Sequence, residues 1–447
     1  MQKYSEYMAV PAPWLGELPS HWDARKVGAL FSERKTKVSD KDYQPLSVAK
    51  IGVVPQLEIA VKTDAGDNRK LVRAGDFVIN SRSDRKGSCG VSQLDGSVSL
   101  INIVLTPREQ LNGRYVHYLM RSQPFSEEYY RNGRGIVSDL WTTRYSEMKT
   151  ILLPVPPSKE QDQIVRFLDW KVSTINKLIN LKKAQIKLYE EMRSKIISSV
   201  VLKGCSMPVP MRYSGSRWLG DIPSHWRCMR GKFLFKEVDV RSTDGQEELL
   251  TVSHITGITP RSEKNVTMFR AESLIGYKKC KIGQLAANTM WMWQGAIAVS
   301  RFNGVVSPSY NIYEQIKNDY VPEYLDLLLR TKPLVNNYVY LSKGIRKSRL
   351  RLYPDQFLTI RFPVPPIEEQ VHIVSEIGKQ TEKIATIITA IQSEISMLQE
   401  LKMRIISDSV TGKIDVRNIE IPNFVFVEDE EIIEDINGSE NEPPEEE

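Results

Sequence analysis

The sequence predicts an α+β protein in which two mixed α/β domains in tandem alternate with two long helices. The helices are expected to pair as an antiparallel coiled coil with pseudo-two-fold symmetry. Three observations carry this. WLGELPSHW, Trp14 to Trp22, returns 204 residues later as WLGDIPSHW, Trp218 to Trp226. PVPPSKEQDQIV from Pro154 returns 209 residues later as PVPPIEEQVHIV from Pro363. After each PVPP, apolar residues keep heptad spacing over about forty residues, the pattern of a coiled coil. The repeat is far too long for a solenoid, so the repeated unit is a domain. The expected divisions are 1–153 for the first body, 154–204 for the first helical tract, 205–362 for the second body, 363–417 for the second tract and 418–447 for an acidic tail.

The first body reads as mixed strand and helix. LVRAGDFVINSR, Leu71 to Arg82, is β-favouring and broken by a turn at Gly75, and the basic loop SRSDRKGSCG, Ser81 to Gly90, follows it. SVSLINIVLTP, Ser97 to Pro107, reads as a further strand, and RYVHYLMRSQPF, Arg114 to Phe125, spaces its apolar residues as a helix. The second body copies the order, with Gly283 in the place of Gly75 and YVPEYLDLLLRTKPL as its helix. The filling differs: NTMWMWQG, Asn288 to Gly295, stands where the first body has SRSDRKGSCG, and the second body gains a net five residues. Diverged loops on a shared frame suit two readers of different ligands; drift after duplication is the alternative.

Ser158 to Gln161, SKEQ, has the capping-box pattern, behind a Pro-Pro pair that blocks helix on its N-terminal side. From there Val165, Leu168, Val172, Ile175, Ile179, Ile186, Tyr189, Ile196 and Val200 form a seam, interrupted by Lys182 and Arg193. In the second tract Ile377, Ile384, Ile387, Ile391, Leu398, Leu401 and Ile405 repeat the idea. One helix from 158 to 203 would be about 69 Å long at about 1.5 Å per residue. Leu178, Leu181, Leu188 and Met192 fall off the seam, as a wider buried stripe or as a second seam for a partner protein.

The chain of 447 residues is 41% hydrophobic and 26% charged, ordinary for a globular protein with real cores. Cys89, Cys205, Cys228 and Cys280 are scattered without a CxxC pair, which argues against a disulfide framework or a zinc site. The opening MQKYSEYMAVPAP is no secretory leader and no apolar run reaches membrane-spanning length, so a cytoplasmic protein without a membrane span is expected. The net charge of +6 hides an asymmetry: residues 418–447 hold twelve acidic and no basic side chains, which leaves +18 on residues 1–417. Such an excess favours a polyanion partner, although a merely soluble basic protein would carry it too. The one-signed tail, acidic from Glu428, is expected to be disordered.

Catalytic motifs are absent. There is no GxxxxGK[ST], no GxGxxG and no HExxH, and no Asn-Pro-Pro-aromatic tetrapeptide of the amino-methyltransferase kind. His21, His117, His225, His254 and His372 are dispersed, and two of them belong to the repeated opener.

Two variable bodies alternating with two helical tracts, with WLGELPSHW and WLGDIPSHW as openers and PVPPSKEQ and PVPPIEEQ as hinges, resemble the specificity subunit of a type I restriction-modification system. The likeness runs to about residue 417. It implies that each body is a target recognition domain reading one half of a bipartite double-stranded DNA target. The helices would set the spacing and dock two methyltransferase subunits, with restriction (translocase/nuclease) subunits completing the complex. S-adenosylmethionine, ATP and Mg then belong to those partners, and this chain is non-catalytic, with no cofactor or metal of its own. Each good bidentate base contact gives about 1–3 kcal/mol of discrimination, so two readers at a fixed separation multiply specificity. A coiled-coil scaffold that binds only proteins is the rival reading, separable by salt-dependent DNA binding.

Basic loop residues are the candidate DNA contacts, since arginine suits guanine edges and phosphates alike. In the first body these are Arg82, Arg85 and Lys86, then Arg131 and Arg134. In the second they are Arg301 and Asn303, then Lys343, Arg346, Lys347, Arg349 and Arg351. Trp141, Trp291 and Trp293 suit either a groove or the core, whereas Trp14, Trp22, Trp218 and Trp226 recur in both bodies and are read as structural.

Overall fold

The computed structural model describes residues 2–57, 66–82, 87–135, 141–205, 209–263, 273–345 and 350–427. The tail 428–447, with its expected disorder, lies outside them. The chain divides into two compact units, one of residues 1–184 with 391–447 and one of residues 185–390. Each long helix, Ser158–Lys203 and Ile367–Val410, therefore gives part of its length to each unit.

Both units contain the same antiparallel four-stranded sheet. In the first the order is Cys89–Val91, Phe77–Asn80, Asn102–Pro107, Phe31–Glu33. In the second it is Ile297–Val299, Leu285–Ala287, Asn311–Gln315, Phe235–Val238. The turns before the second-listed strands need a left-handed residue, and Gly75 and Gly283 supply it at φ +92° and +86°. Ser97 to Pro107 forms two strands rather than one, Gly96–Val98 and Asn102–Pro107, because the Asn102 amide turns back to the Ser99 carbonyl at 3.0 Å. The expected helix from Arg114 to Phe125 is broken at Ser122, whose extended backbone ends Gly113–Arg121 before Pro124 opens a second helix, Gln123–Arg131; the expected helix of the second body divides in the same way into Pro322–Leu329 and Lys332–Leu341. The N-cap Asn112 of the first accepts from the Arg114 and Tyr115 amides at 2.9 and 3.1 Å.

The repeated motifs meet inside each unit. Trp22 and Trp226 are each 1% exposed, and burying such a ring is worth roughly 4–6 kcal/mol as an upper bound. Beside them the hinge carboxylates accept from the openers: His21 Nε2 lies 2.8 Å from Glu160 Oε2, and His225 Nε2 lies 2.9 Å from Glu369 Oε2. Trp226 Nε1 also donates to Glu369 at 2.9 Å. In the first unit the Tyr4 hydroxyl donates to Glu160 instead, at 2.6 Å, and Trp22 Nε1 has no partner among the described residues. Burial first, then the Glu160 hydrogen bond, pushes the Tyr4 hydroxyl well up, so it stays a donor.

The expected capping box does not form. Ser158 is already helical, and the Pro157 carbonyl accepts from the Glu160 and Gln161 amides at 2.8 and 3.0 Å. The Gln161 side chain instead accepts from the Asn112 amide at 3.0 Å and donates to the Pro156 carbonyl at 2.9 Å. Gln370 makes the same bridge between Val321 and Pro365, both at 2.9 Å. Buried backbone groups without water need a partner, and the glutamine amide satisfies one donor and one acceptor at once.

Each body also receives the end of the long helix that starts from the other. Tyr115 Oη donates to the Val410 carbonyl at 3.2 Å, and Tyr324 Oη donates to the Val201 carbonyl at 2.8 Å. Left-handed glycines, Gly412 at φ +73° and Gly204 at φ +79°, then end the helices. In the first unit the helices run antiparallel: Asn176 accepts from Lys402 Nζ at 3.2 Å while Lys182 pairs with Glu394.

The seam of the first helix follows the expected positions, but that of the second is rotated. Ile377, Ile384, Ile391 and Ile405 are buried and Leu398 partly so, yet Ile387 and Leu401 are 38% and 44% exposed. Ile388 and Ile395 turn inward in their neighbourhood. Both choices satisfy a heptad; the four-three order from Ile384 selects Ile388, while a three-four order would have selected Ile387. Ile391→Ala should therefore cost about 2–5 kcal/mol in urea unfolding and Ile387→Ala under about 1 kcal/mol; equal losses would return Ile387 to the seam.

Candidate nucleic-acid interface

In the first body the loop after Phe77–Asn80 and the segment before the hinge converge. The Thr143 amide donates to the Ser81 carbonyl at 3.0 Å, and Thr142 bridges to both Arg82 and Arg134. Thr143 is locked in turn, since its Oγ1 donates to the Tyr129 carbonyl at 3.0 Å and Tyr129 Oη donates to the Thr143 carbonyl at 3.1 Å. A rigid anchor thus carries two exposed arginines on adjacent backbone. Arg134 is 84% exposed and its Nε lies 3.9 Å from Glu147, a screened pair of little energetic weight. The Ser146 hydroxyl first, with backbone amides and Arg134 adding to it, holds the Glu147 carboxyl below the usual range. Arg131 is paired with Glu128 one turn back on its own helix, at 2.6 Å. Arg85 and Lys86 lie outside the described residues.

The second body repeats the arrangement with different residues. The Leu352 amide reaches the Thr289 carbonyl at 3.4 Å, and Lys343 and Arg351 exchange backbone hydrogen bonds at 2.9 Å each. Lys343 is exposed and Arg351 half-buried. Hydrogen bonding to Gln356 first, and more weakly the charge of Lys343, holds the Asp355 carboxyl low. Arg346, Lys347 and Arg349 fall outside the described residues. Arg301 and Asn303 are placed elsewhere. They lie beyond the Val299 end of the hairpin in which Leu285–Ala287 pairs with Ile297–Val299, and Asn303 Oδ1 accepts from the Ile282 amide at 3.0 Å. Thr289 follows the opposite end of that hairpin, about 10 Å away over three residues of strand. The structure thus joins Lys343 with Arg351 and separates both from Arg301 and Asn303.

The half-buried tryptophans are anchored inward. Trp141 Nε1 donates to the Tyr130 carbonyl at 2.7 Å, Trp293 Nε1 donates to the Met290 carbonyl at 3.0 Å, and Trp291 stacks on Trp293 with centroids 6.0 Å apart. Arg144, exposed directly after Thr143, shares the first cationic strip and was missed, because TTRYSEM has no basic cluster to draw attention to it. Among the described residues no group of three or more His, Cys, Asp or Glu could hold a metal ion, and no helix is long and apolar enough to cross a membrane.

No protein-family model matches the chain. It is 20% identical over 448 residues to the "Putative type I restriction enzyme MjaX specificity subunit" of Methanocaldococcus jannaschii, covering 90% of this chain and 96% of that one. A chain solved in work on the complex assembly and conformational transition of the type I R-M system superposes with a TM-score of 0.58 at 15% identity, over 89% of this chain and 99% of that one. The HsdS subunit from Thermoanaerobacter tengcongensis gives a TM-score of 0.44 at 15% identity, over 89% and 98%. The chain resembles a type I restriction enzyme specificity subunit in sequence and a chain of the type I R-M system in fold.

Against that fold, the two cationic strips occupy equivalent points of a duplicated frame. Replacing Lys343 and Arg351 together by alanine should weaken DNA binding and flatten its dependence on log salt by up to about two units, about 0.9 per phosphate lost. Binding titrations over a series of salt concentrations would measure this, and an unchanged slope would remove both residues from the interface.

Proposed function

We propose that the chain is the DNA-recognition subunit of a type I restriction-modification complex, each body reading one half of a bipartite target. The observation that carries this is the recurrence of a cationic strip at one point of the repeated sheet: Arg82 with Arg134 in one unit, Lys343 with Arg351 in the other. A frame repeated so closely with different side chains at the same place suits two readers of two sequences. A scaffold binding only proteins has no use for either strip.

The helices are read as the docking surface for two methyltransferase subunits. In the first unit Leu178, Met397 and Leu401 are exposed; in the second Ile387, Leu188 and Met192 are. These are the same three positions, each pair 209 residues apart. Of the two readings of the off-seam residues, a second seam for a partner is the one their exposure supports. Two equivalent apolar triads, one per unit, suit two copies of one partner. Methyl transfer, ATP-driven translocation and cleavage are then partner activities, with S-adenosylmethionine, ATP and Mg bound there.

Mapping methylated adenines in cells that carry this chain with its methyltransferase tests the reading: a two-part motif is expected, and alanine at Lys343 and Arg351 should weaken recognition of one half alone. Relaxation of both halves together would overturn the two-reader model. Met192→Asp with Leu188→Asp should leave only one methyltransferase copy bound in native mass spectrometry, and retention of both copies would exclude the triads as docking sites.

A further inference from the structure

In the second unit the strand Arg227–Arg230 pairs with Arg361–Val364 so that Arg230 and Arg361 stand directly opposite each other. Lys232 follows two residues later, and the three cations border a cleft of about 310 Å³ with Cys228 and Phe233. Arg230 and Lys232 are exposed and Arg361 half-buried. Among the described residues no carboxylate lies within ion-pair distance of any of the three, and none lines the cleft.

Like charges directly opposite on paired strands are destabilising. The fold does not require them here. At the equivalent register of the first unit Lys26 faces Leu152, and Gly28 takes the place of Lys232. The second body thus carries two cations that its frame does without elsewhere, converging on an open cleft, with a guanidinium fork whose geometry matches a phosphate oxygen pair.

We infer that the cleft between Arg230, Lys232 and Arg361 is a binding site for a backbone phosphate of DNA, present in the second body only and separate from the strip of Lys343 and Arg351. This rests on the DNA-recognition reading and adds to it an asymmetric, sequence-independent anchor. A phosphate contact fixes register and orientation without reading bases.

The test uses the full chain assembled with its methyltransferase, comparing wild type with Arg230→Gln/Arg361→Leu, in which position 361 takes the side chain the first body tolerates. The slope of log affinity against log salt should fall by about one unit, a loss between 50 and 200 mM salt about fourfold smaller, for cognate and unrelated DNA alike. The methylated motif should stay the same. An unchanged slope would overturn the inference, as would a changed motif. Binding of inorganic phosphate that the variant abolishes without a change in the DNA slope would make the cleft a small-anion site and overturn it too. Should the double variant fail to fold, Lys232→Gln, at an exposed side chain, is measured in its place: a shallower slope supports the site and an unchanged slope overturns it. Wild-type binding that showed no salt dependence would instead remove the DNA-recognition reading itself.

Discussion

The structure depends on one carboxylate per repeat, placed where the opener meets the hinge. Glu160 and Glu369 sit at the first turn of a long helix, accept from the opener histidine, and hold the opener against the hinge. A charge in that position is tolerable because several donors face it and because the helix N-terminus favours an anion. With the adjacent glutamine bridging the hinge to the body's own helix, the direction in which each long helix leaves its body becomes a fixed quantity. Everything that the helices display, seam and exposed triad alike, inherits its orientation from that latch.

The two repeats keep this latch and vary around it. The first uses Tyr4 where the second uses the indole of Trp226, so the same carboxylate is satisfied by different donors. The order of the four-stranded sheet is preserved strand for strand, and the turns that need left-handed glycine keep it. Variation includes the segment after the second-listed strand, where SRSDRKGSCG stands against NTMWMWQG, and the segment before the hinge. That separation of a rigid frame from free loops is what allows one plan to present unrelated surfaces. It also lets a pair of opposed arginines persist in one repeat only, at a place where the other repeat packs a leucine.

Two kinds of cation are found on the bodies. Those on the strips are carried by backbone that is itself hydrogen-bonded to a sheet end, so they reach solvent from a fixed position. Others, such as Arg131, are paired to a carboxylate on their own helix and are less free to meet a phosphate. Counting basic residues in a loop does not separate the two kinds, because the difference lies in a partner supplied by three-dimensional neighbours.

The sequence by itself determined the duplication, the order of bodies and helices, the seam of the first helix and the turns at Gly75 and Gly283. Each of these is written in local spacing or in close recurrence, which needs no tertiary information. Tertiary structure decided the rest. It chose Ile388 over Ile387 for the second seam, since a heptad admits either phase until a partner helix selects one face. It turned SKEQ from a local cap into a bridge, since the unpaired Asn112 amide and Pro156 carbonyl come near Gln161 only after folding. It joined Arg82 to Arg134 through Thr142 and parted Arg301 from Arg351, because distance along the chain says nothing of which end of a strand a loop occupies.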